Sequence, residues 1–304
     1  MKLFILAGLG VGASLVALAA CGSSSSGHGA FSGDGGGGEG GVGDGAGGGD
    51  GEGGGIFSKA YFGSVTAGEL PGTKTTYTIT ADFIASLDGG GGGDGGIPCA
   101  GTLSGSCCYT PPATASDAGV GDGGVTLTTA SAGALLVKDG TTSIANISPG
   151  TNNVYSIAST NNPSVTWKPG DTLAVSAAGA AVQAFSGNLT TATEFAGVTP
   201  ALGSTAATIP IASNLTISWT PGNGQGVSVF LAAVKGTKDD GAITCAVADS
   251  AGTISVPSAL LGKFTTGDTG LVSLHRTTAS QVSAPNATVE MIGGTTTGGL
   301  AKYQ

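Results

Sequence analysis

From about residue 56 onward, apolar and hydroxylated residues alternate in short runs, and Gly, Pro, Asn or Asp separates each run from the next. A period of two is that of a β-strand with one buried and one wetted face. Leu215-Thr216-Ile217-Ser218-Trp219 shows it plainly, with apolar residues at odd positions and hydroxyls at even ones. Such runs predict strands at Thr75–Phe83, Val125–Ala130, Asn153–Ala158, Thr172–Ser176, Ala181–Phe185, Asn214–Trp219, Val227–Val234, Ile243–Val247, Thr253–Val256, Gly270–His275 and Ala287–Ile292. One short helix is predicted at Pro257–Phe264, with Pro in its first turn and Leu260 and Leu261 facing the sheet. Strong helix formers are scarce and β-branched residues abound. The implied fold is all-β, an antiparallel β-sandwich, as one large unit or two smaller ones. A pause near Thr199–Thr208 divides a first β unit, 56–200, from a second, 201–292, and residues 293–304 read as a flexible tail.

The N-terminal quarter has a different pattern. Lys2 precedes an uncharged apolar stretch, Leu3 to Ala20, which closes on Leu18-Ala19-Ala20-Cys21. This resembles a bacterial lipoprotein signal, with residues 1–20 as the signal peptide and Cys21 as the lipidated new N-terminus. The resemblance implies attachment to the envelope membrane through acyl chains. Gly22, in place of Asp, implies sorting to the outer membrane. Residues 22–55 follow with 19 glycines in 34 positions, five acids and no Lys or Arg. Such a segment cannot bury enough apolar surface to offset its ordering entropy. Residues 21–55 therefore read as a lipidated cysteine and a disordered acidic tether spanning about 30–35 Å on Gly-rich scaling.

In the C-terminal half, Trp219-Thr-Pro-Gly between two apolar runs is similar to the B–C corner of fibronectin-type and immunoglobulin-like modules, which implies Ig-like sandwiches. The phrases Trp167-Lys-Pro-Gly-Asp171-Thr-Leu-Ala-Val-Ser-Ala-Ala-Gly179 and Asp249-Ser-Ala-Gly-Thr-Ile-Ser-Val-Pro257-Ser-Ala-Leu-Leu261 resemble uncharacterised predicted lipoproteins of myxobacterial type. That resemblance carries no functional residues with it.

Four cysteines remain after Cys21, and export makes two disulfides the expectation. If Leu103–Tyr109 is a strand, Cys107 shares a face with Leu103 and Tyr109, and Cys108 lies opposite. Cys245 alternates with Ile243 and Val247 and faces inward. This favours Cys107–Cys245 with Cys99–Cys108 over Cys99–Cys107 with Cys108–Cys245. A zinc site lacks paired Cys-x-x-Cys spacing or nearby His, so no metal is expected.

Candidate chemistry is sparse. His28 lies in the tether, and His275 ends a predicted strand beside Arg276, the sole arginine. No serine-hydrolase, β-lactamase or zinc-protease motif accompanies them. Asp268-Thr269-Gly270 looks like an aspartic-protease signature but lacks the preceding apolar pair, and Asp249, its imagined partner, lacks the following glycine. Gly89–Asp94 and Asp117–Gly124 start like calcium loops without completing one and read as loop insertions. The net charge of −9, from 10 basic and 19 acidic residues without a basic cluster, excludes a nucleic-acid partner.

The sequence thus points to a non-enzymatic, lipid-anchored envelope protein with a structural or interaction role and no cofactor. Its partners would be the membrane, through the lipid, and envelope proteins or glycans. The rivals are a module binding carbohydrate or a surface polymer through an exposed Trp167, Tyr155 or Tyr61, and a hydrolase of unrecognised type.

Overall fold

The computed structural model describes residues 61–72, 74–85, 99, 101–112, 128–236 and 238–304. The signal peptide, Cys21, the tether with His28, and both glycine tracts with acidic residues lie outside the described residues.

The strands are β1 (Tyr61–Leu70), β2 (Thr76–Ala85), β3 (Thr102–Ser104), β4 (Cys107–Thr110), β5 (Leu135–Asp139), β6 (Thr142–Ile147), β7 (Tyr155–Ala158), β8 (Thr172–Ala177) and β9 (Phe185–Thr190). They continue with β10 (Ala207–Ile209), β11 (Leu215–Ser218), β12 (Gly226–Lys235), β13 (Lys238–Ala248), β14 (Thr253–Val256), β15 (Thr269–Ala284) and β16 (Ala287–Tyr303). One helical turn, α1 (Ser258–Leu261), follows β14 and buries Leu260 and Leu261.

One large sheet runs in the order β3-β4-β13-β12-β15-β16-β1-β2-β7, with β10 also pairing with β16. A four-stranded sheet, β6-β5-β8-β9, and a two-stranded sheet, β11-β14, form the second layer. The result is an all-β sandwich. Its pairing is antiparallel except where β1 and β10 each lie parallel to β16. A parallel neighbour comes from far along the chain, so the local turn signals that announce hairpins do not announce it.

Two hydrophobic cores sit on the same face of the large sheet. The first joins Val65, Ala67, Ile79, Phe83, Val289 and Met291 to the β5, β6, β8 and β9 layer. The second joins Val229, Leu231, Ile243, Val272, Leu274, Ala301 and Tyr303 to β11, β14 and α1. The long hairpin β15–β16 serves both. Its inward residues are even in β15 and odd in β16, so 282, 284, 287, 289 and 291 face the first core, and 272, 274, 301 and 303 the second.

Several sequence expectations are corrected here. Residues 293–304 are not a tail. They continue β16 through Tyr303, which is fully buried and whose hydroxyl donates to the Ala232 carbonyl at 2.9 Å. Leu103–Tyr109 is not one strand but a tight hairpin, β3–β4, turning at Gly105 with φ of 60°. A left-handed φ suits glycine, which has no Cβ to clash. The run at Ala181–Phe185 precedes its strand, which begins at Phe185. At Val125–Ala130, residues 128–130 contribute an isolated bridge, Thr129 to Ile84, and the remainder is not described.

The disulfides are Cys107–Cys245 and Cys99–Cys108. Cys107 and Cys245 are directly opposite in the β4–β13 register, and both belong to the second core. Together the two bridges mark a protein that folds in an oxidising, extracytoplasmic compartment. No described helix is long and apolar enough to cross a membrane.

Candidate functional site: a polar seam between the cores

The inward face of β15–β16 changes character midway. Between the apolar positions of the two cores stand Arg276 and Thr278 on β15, and Gly293, Thr295, Thr297 and Gly299 on β16. Glu69 of β1 lies in register with Thr295, and Thr295 with Arg276. A polar row therefore crosses three adjacent strands. Residues 191–199, the strap that leads from the first covering layer to the second, pass over it. Gly293 makes this close approach possible: a Cβ there would collide with the Thr190 carbonyl and the Thr278 hydroxyl. The Thr278 hydroxyl donates to that same Thr190 carbonyl.

Arg276 is the centre of the seam, at 1 % exposure. Nε donates to Asp249 Oδ1 at 3.0 Å, and Nη2 lies 3.0 Å from the same oxygen. Nη2 also donates to the Thr220 carbonyl at 2.7 Å, and Nη1 to the carbonyls of Thr193 and Glu194, each at 2.9 Å. All three guanidinium nitrogens are thus engaged. The guanidinium carbon lies 4.4 Å from the centre of the Phe195 ring, a cation–π contact from the strap. Asp249, fully buried, accepts further bonds from Trp219 Nε1 at 2.9 Å and from the Gly222 and Gly224 amides at 2.8 and 3.1 Å. The network ties β15, the turn after β13, the Trp219 corner and the strap into one unit.

At the other end of the row, Glu69 is 4 % exposed, and neither carboxylate oxygen has a hydrogen-bond donor. Burial, then the facing Glu194 carboxyl, push its pKa up to about 7. Thr295 Oγ1, also buried, has no partner.

The sequence-derived candidates fall elsewhere or lose their chemistry. Asp249 is held as the counter-ion of Arg276. Asp268 lies beside Asp240, not Asp249; the Asp268 contact is the first cause raising Asp240's pKa. Asp268 also closes its own turn by accepting the Thr265 amide at 2.8 Å. His275 points to the opposite face of the sheet. Its Nδ1 lies 2.9 Å from Thr296 Oγ1, its Nε2 is buried without a partner, and burial lowers its pKa to about 4. It is therefore neutral near pH 7, with no carboxylate hydrogen-bonded to it. Trp167 (4 % exposed) and Tyr155 (0 %) are core residues, and Tyr61 is partly buried against the same core. These three aromatics do not form an open glycan platform. A groove of about 280 Å³ on the outer face, lined by Gly226, Thr277, Ala279, Glu290 and Ile292, presents a single carboxyl. Among the described residues no cluster of three or more His, Cys, Asp or Glu side chains is placed to hold a metal ion.

Glu69 and the strap were not singled out in the sequence. The usable signal was the break in alternation on β15, where apolar residues at 272 and 274 give way to polar ones at 276, 278 and 280 and return at 282 and 284.

No family model and no curated protein matches the chain. Among solved structures it is similar to the FN1-FN3 domains of chicken CNTN1, at 8 % identity and a TM-score of 0.25, over 75 % of this chain and 63 % of that one. A likeness at that level carries no argument. The β-sandwich rests on the strand pairing itself.

Proposed function

We propose that this protein is a lipid-anchored component of the bacterial cell envelope, held at the outer membrane through Cys21, with a structural or interaction role and no catalytic one. The observation that carries the reading is the use to which its charged core residues are put. Arg276 and Asp249, the pair with most chemical potential, are fully consumed in joining two cores and a strap. His275 and Asp268 are each tied into local structure. Such a body keeps its shape while presenting its surface, which is what a displayed scaffold requires. The apolar stretch ending at Cys21 and the acidic glycine-rich segment support an anchor and a spacer. Interaction partners would be envelope proteins meeting the polar loops and outer sheet face.

The test is expression of the full chain and its Cys21→Ser variant in a Gram-negative host, followed by membrane fractionation and metabolic labelling with a palmitate analogue. The expected result is labelled, outer-membrane wild type and unlabelled, soluble variant. Membrane retention of unlabelled Cys21→Ser would overturn the anchor.

A further inference from the structure

Glu69 stands near the end of β1, flanked in register by Thr295 of β16 and Tyr77 of β2. No donor reaches its carboxylate. The side chain within hydrogen-bonding range is the Glu194 carboxyl of the strap. Two carboxyls facing each other need either a shared proton or a cation between them. Among the described residues no free cationic side chain fills the place: Arg276, one strand beyond Thr295, has all three guanidinium nitrogens engaged elsewhere, and its pair with Asp249 is the sole ion pair there. Tyr77, on the other side, is hydrogen-bonded to the Thr166 side chain. Thr295 Oγ1 is an independent sign. It is 0 % exposed and unpartnered. The parallel register places Thr295 beside Glu69 on the same face of neighbouring strands, whose backbones run about 4.8 Å apart. Buried polar atoms without partners cost free energy, and Glu69 and Thr295, neighbours in register, carry three of them, which marks a place for a missing ligand.

We propose that Glu69, Glu194 and Thr295 form a site for a hard divalent cation of the calcium type. The donors are all oxygen, two of them carboxylates, which is the set such ions take, with water completing the shell. Glu194 is exposed, so the ion has a path from solvent. On binding, the proton that the carboxyl pair otherwise shares leaves to solvent, and the cation bridges β1 to the strap. Arg276 already grips that strap through the Thr193 and Glu194 carbonyls. The ion would fasten its other side, so the junction of the two cores is completed by metal. The inference does not depend on the lipid anchor.

The experiment uses the full-length protein, freed of metal with EDTA, at pH 7.5. Thermal unfolding is recorded with and without calcium, and terbium luminescence is excited through Tyr77, whose ring lies 4.8 Å from that of Trp167. At calcium about tenfold above its Kd, the midpoint should rise by about 3–6 °C. Glu69→Gln should abolish the rise and, in EDTA, melt above the wild type, because the like-charge contact is gone. Glu194→Gln, at an exposed position, should fold normally and lose at least tenfold in terbium affinity. Tyr77→Phe should keep the calcium shift, with the luminescence still sensitised by Trp167. No calcium shift in wild type, or an equal shift in Glu69→Gln and Glu194→Gln, overturns the site. The segment 22–55 carries five acids but no Tyr or Trp, so terbium bound there stays dark.

Discussion

Replacing Arg276 with Met keeps most of the side chain's length and removes its charge and all five donors. Asp249 would then be a fully buried carboxylate with only neutral donors, Trp219 Nε1 and the Gly222 and Gly224 amides. The carbonyls of Thr193, Glu194 and Thr220 would lose their partner as well. Breaking a buried pair by deleting one member costs about 3–5 kcal/mol. Against a total stability of about 5–15 kcal/mol, that is a large fraction. The loss should also be localised. With the strap released, the two cores share only the β15–β16 hairpin, and their unfolding should separate. Urea titration followed by tryptophan fluorescence reads both effects, since Trp167 belongs to the first core and Trp219 to the second. The expected outcome is a midpoint shift worth at least 3 kcal/mol by the range above, with a broadened or two-step transition. Arg276→Lys should recover little, because an ammonium cannot reproduce the planar five-donor fork. A single unbroadened transition within about 1 kcal/mol of wild type, the range of an exposed ion pair, would refute the reasoning.

Cys107→Ala with Cys245→Ala opens a bridge between residues 138 apart in sequence, and should cost about 2–5 kcal/mol; peptide mapping of the native chain should find no free thiol among Cys99, Cys107, Cys108 and Cys245. His275 supplies a pH dependence with a definite sign. Its folded pKa, about 4, is below the ordinary 6.5, so its contribution is fully present above pH 6.5 and is lost as pH falls toward 4. The shift corresponds to about 3 kcal/mol, and His275→Gln should flatten the stability profile across that window in urea titrations. Gly293→Val should destabilise strongly by pushing the strap off the hairpin, seen as increased proteolysis within residues 191–199.

The fold class was legible because burial on one side of a sheet writes itself as alternation. Leu215 to Trp219, Val227 to Val234 and Thr172 to Ser176 all read correctly from that pattern alone. The inward facing of Cys245 between Ile243 and Val247 was legible for the same reason. The seam was not. At Arg276 the inward positions of β15 turn polar, so the pattern looks as if the strand has ended at His275. In β16, Gly293, Gly294, Gly298 and Gly299 carry no side chain with which to signal a face, and a strand dense in glycine resembles a tail. Those glycines and threonines are there because another part of the backbone crosses them, a long-range fact that no local window contains. Glu69 was invisible for a related reason. Its significance lies in Glu194 and Thr295, which are 125 and 226 positions away along the chain.

The central claim is that one uninterrupted hairpin carries both cores and the seam between them as a single body. Hydrogen exchange of backbone amides across Thr269–Tyr303, read by mass spectrometry or NMR on the native protein, tests it most directly. The account predicts slow exchange at comparable rates at the paired amides from 272 through 303, with no gap at Arg276–Thr278 or Gly293–Gly299. Fast exchange from residue 293 onward, or two protected blocks with an open stretch at the seam, would contradict it.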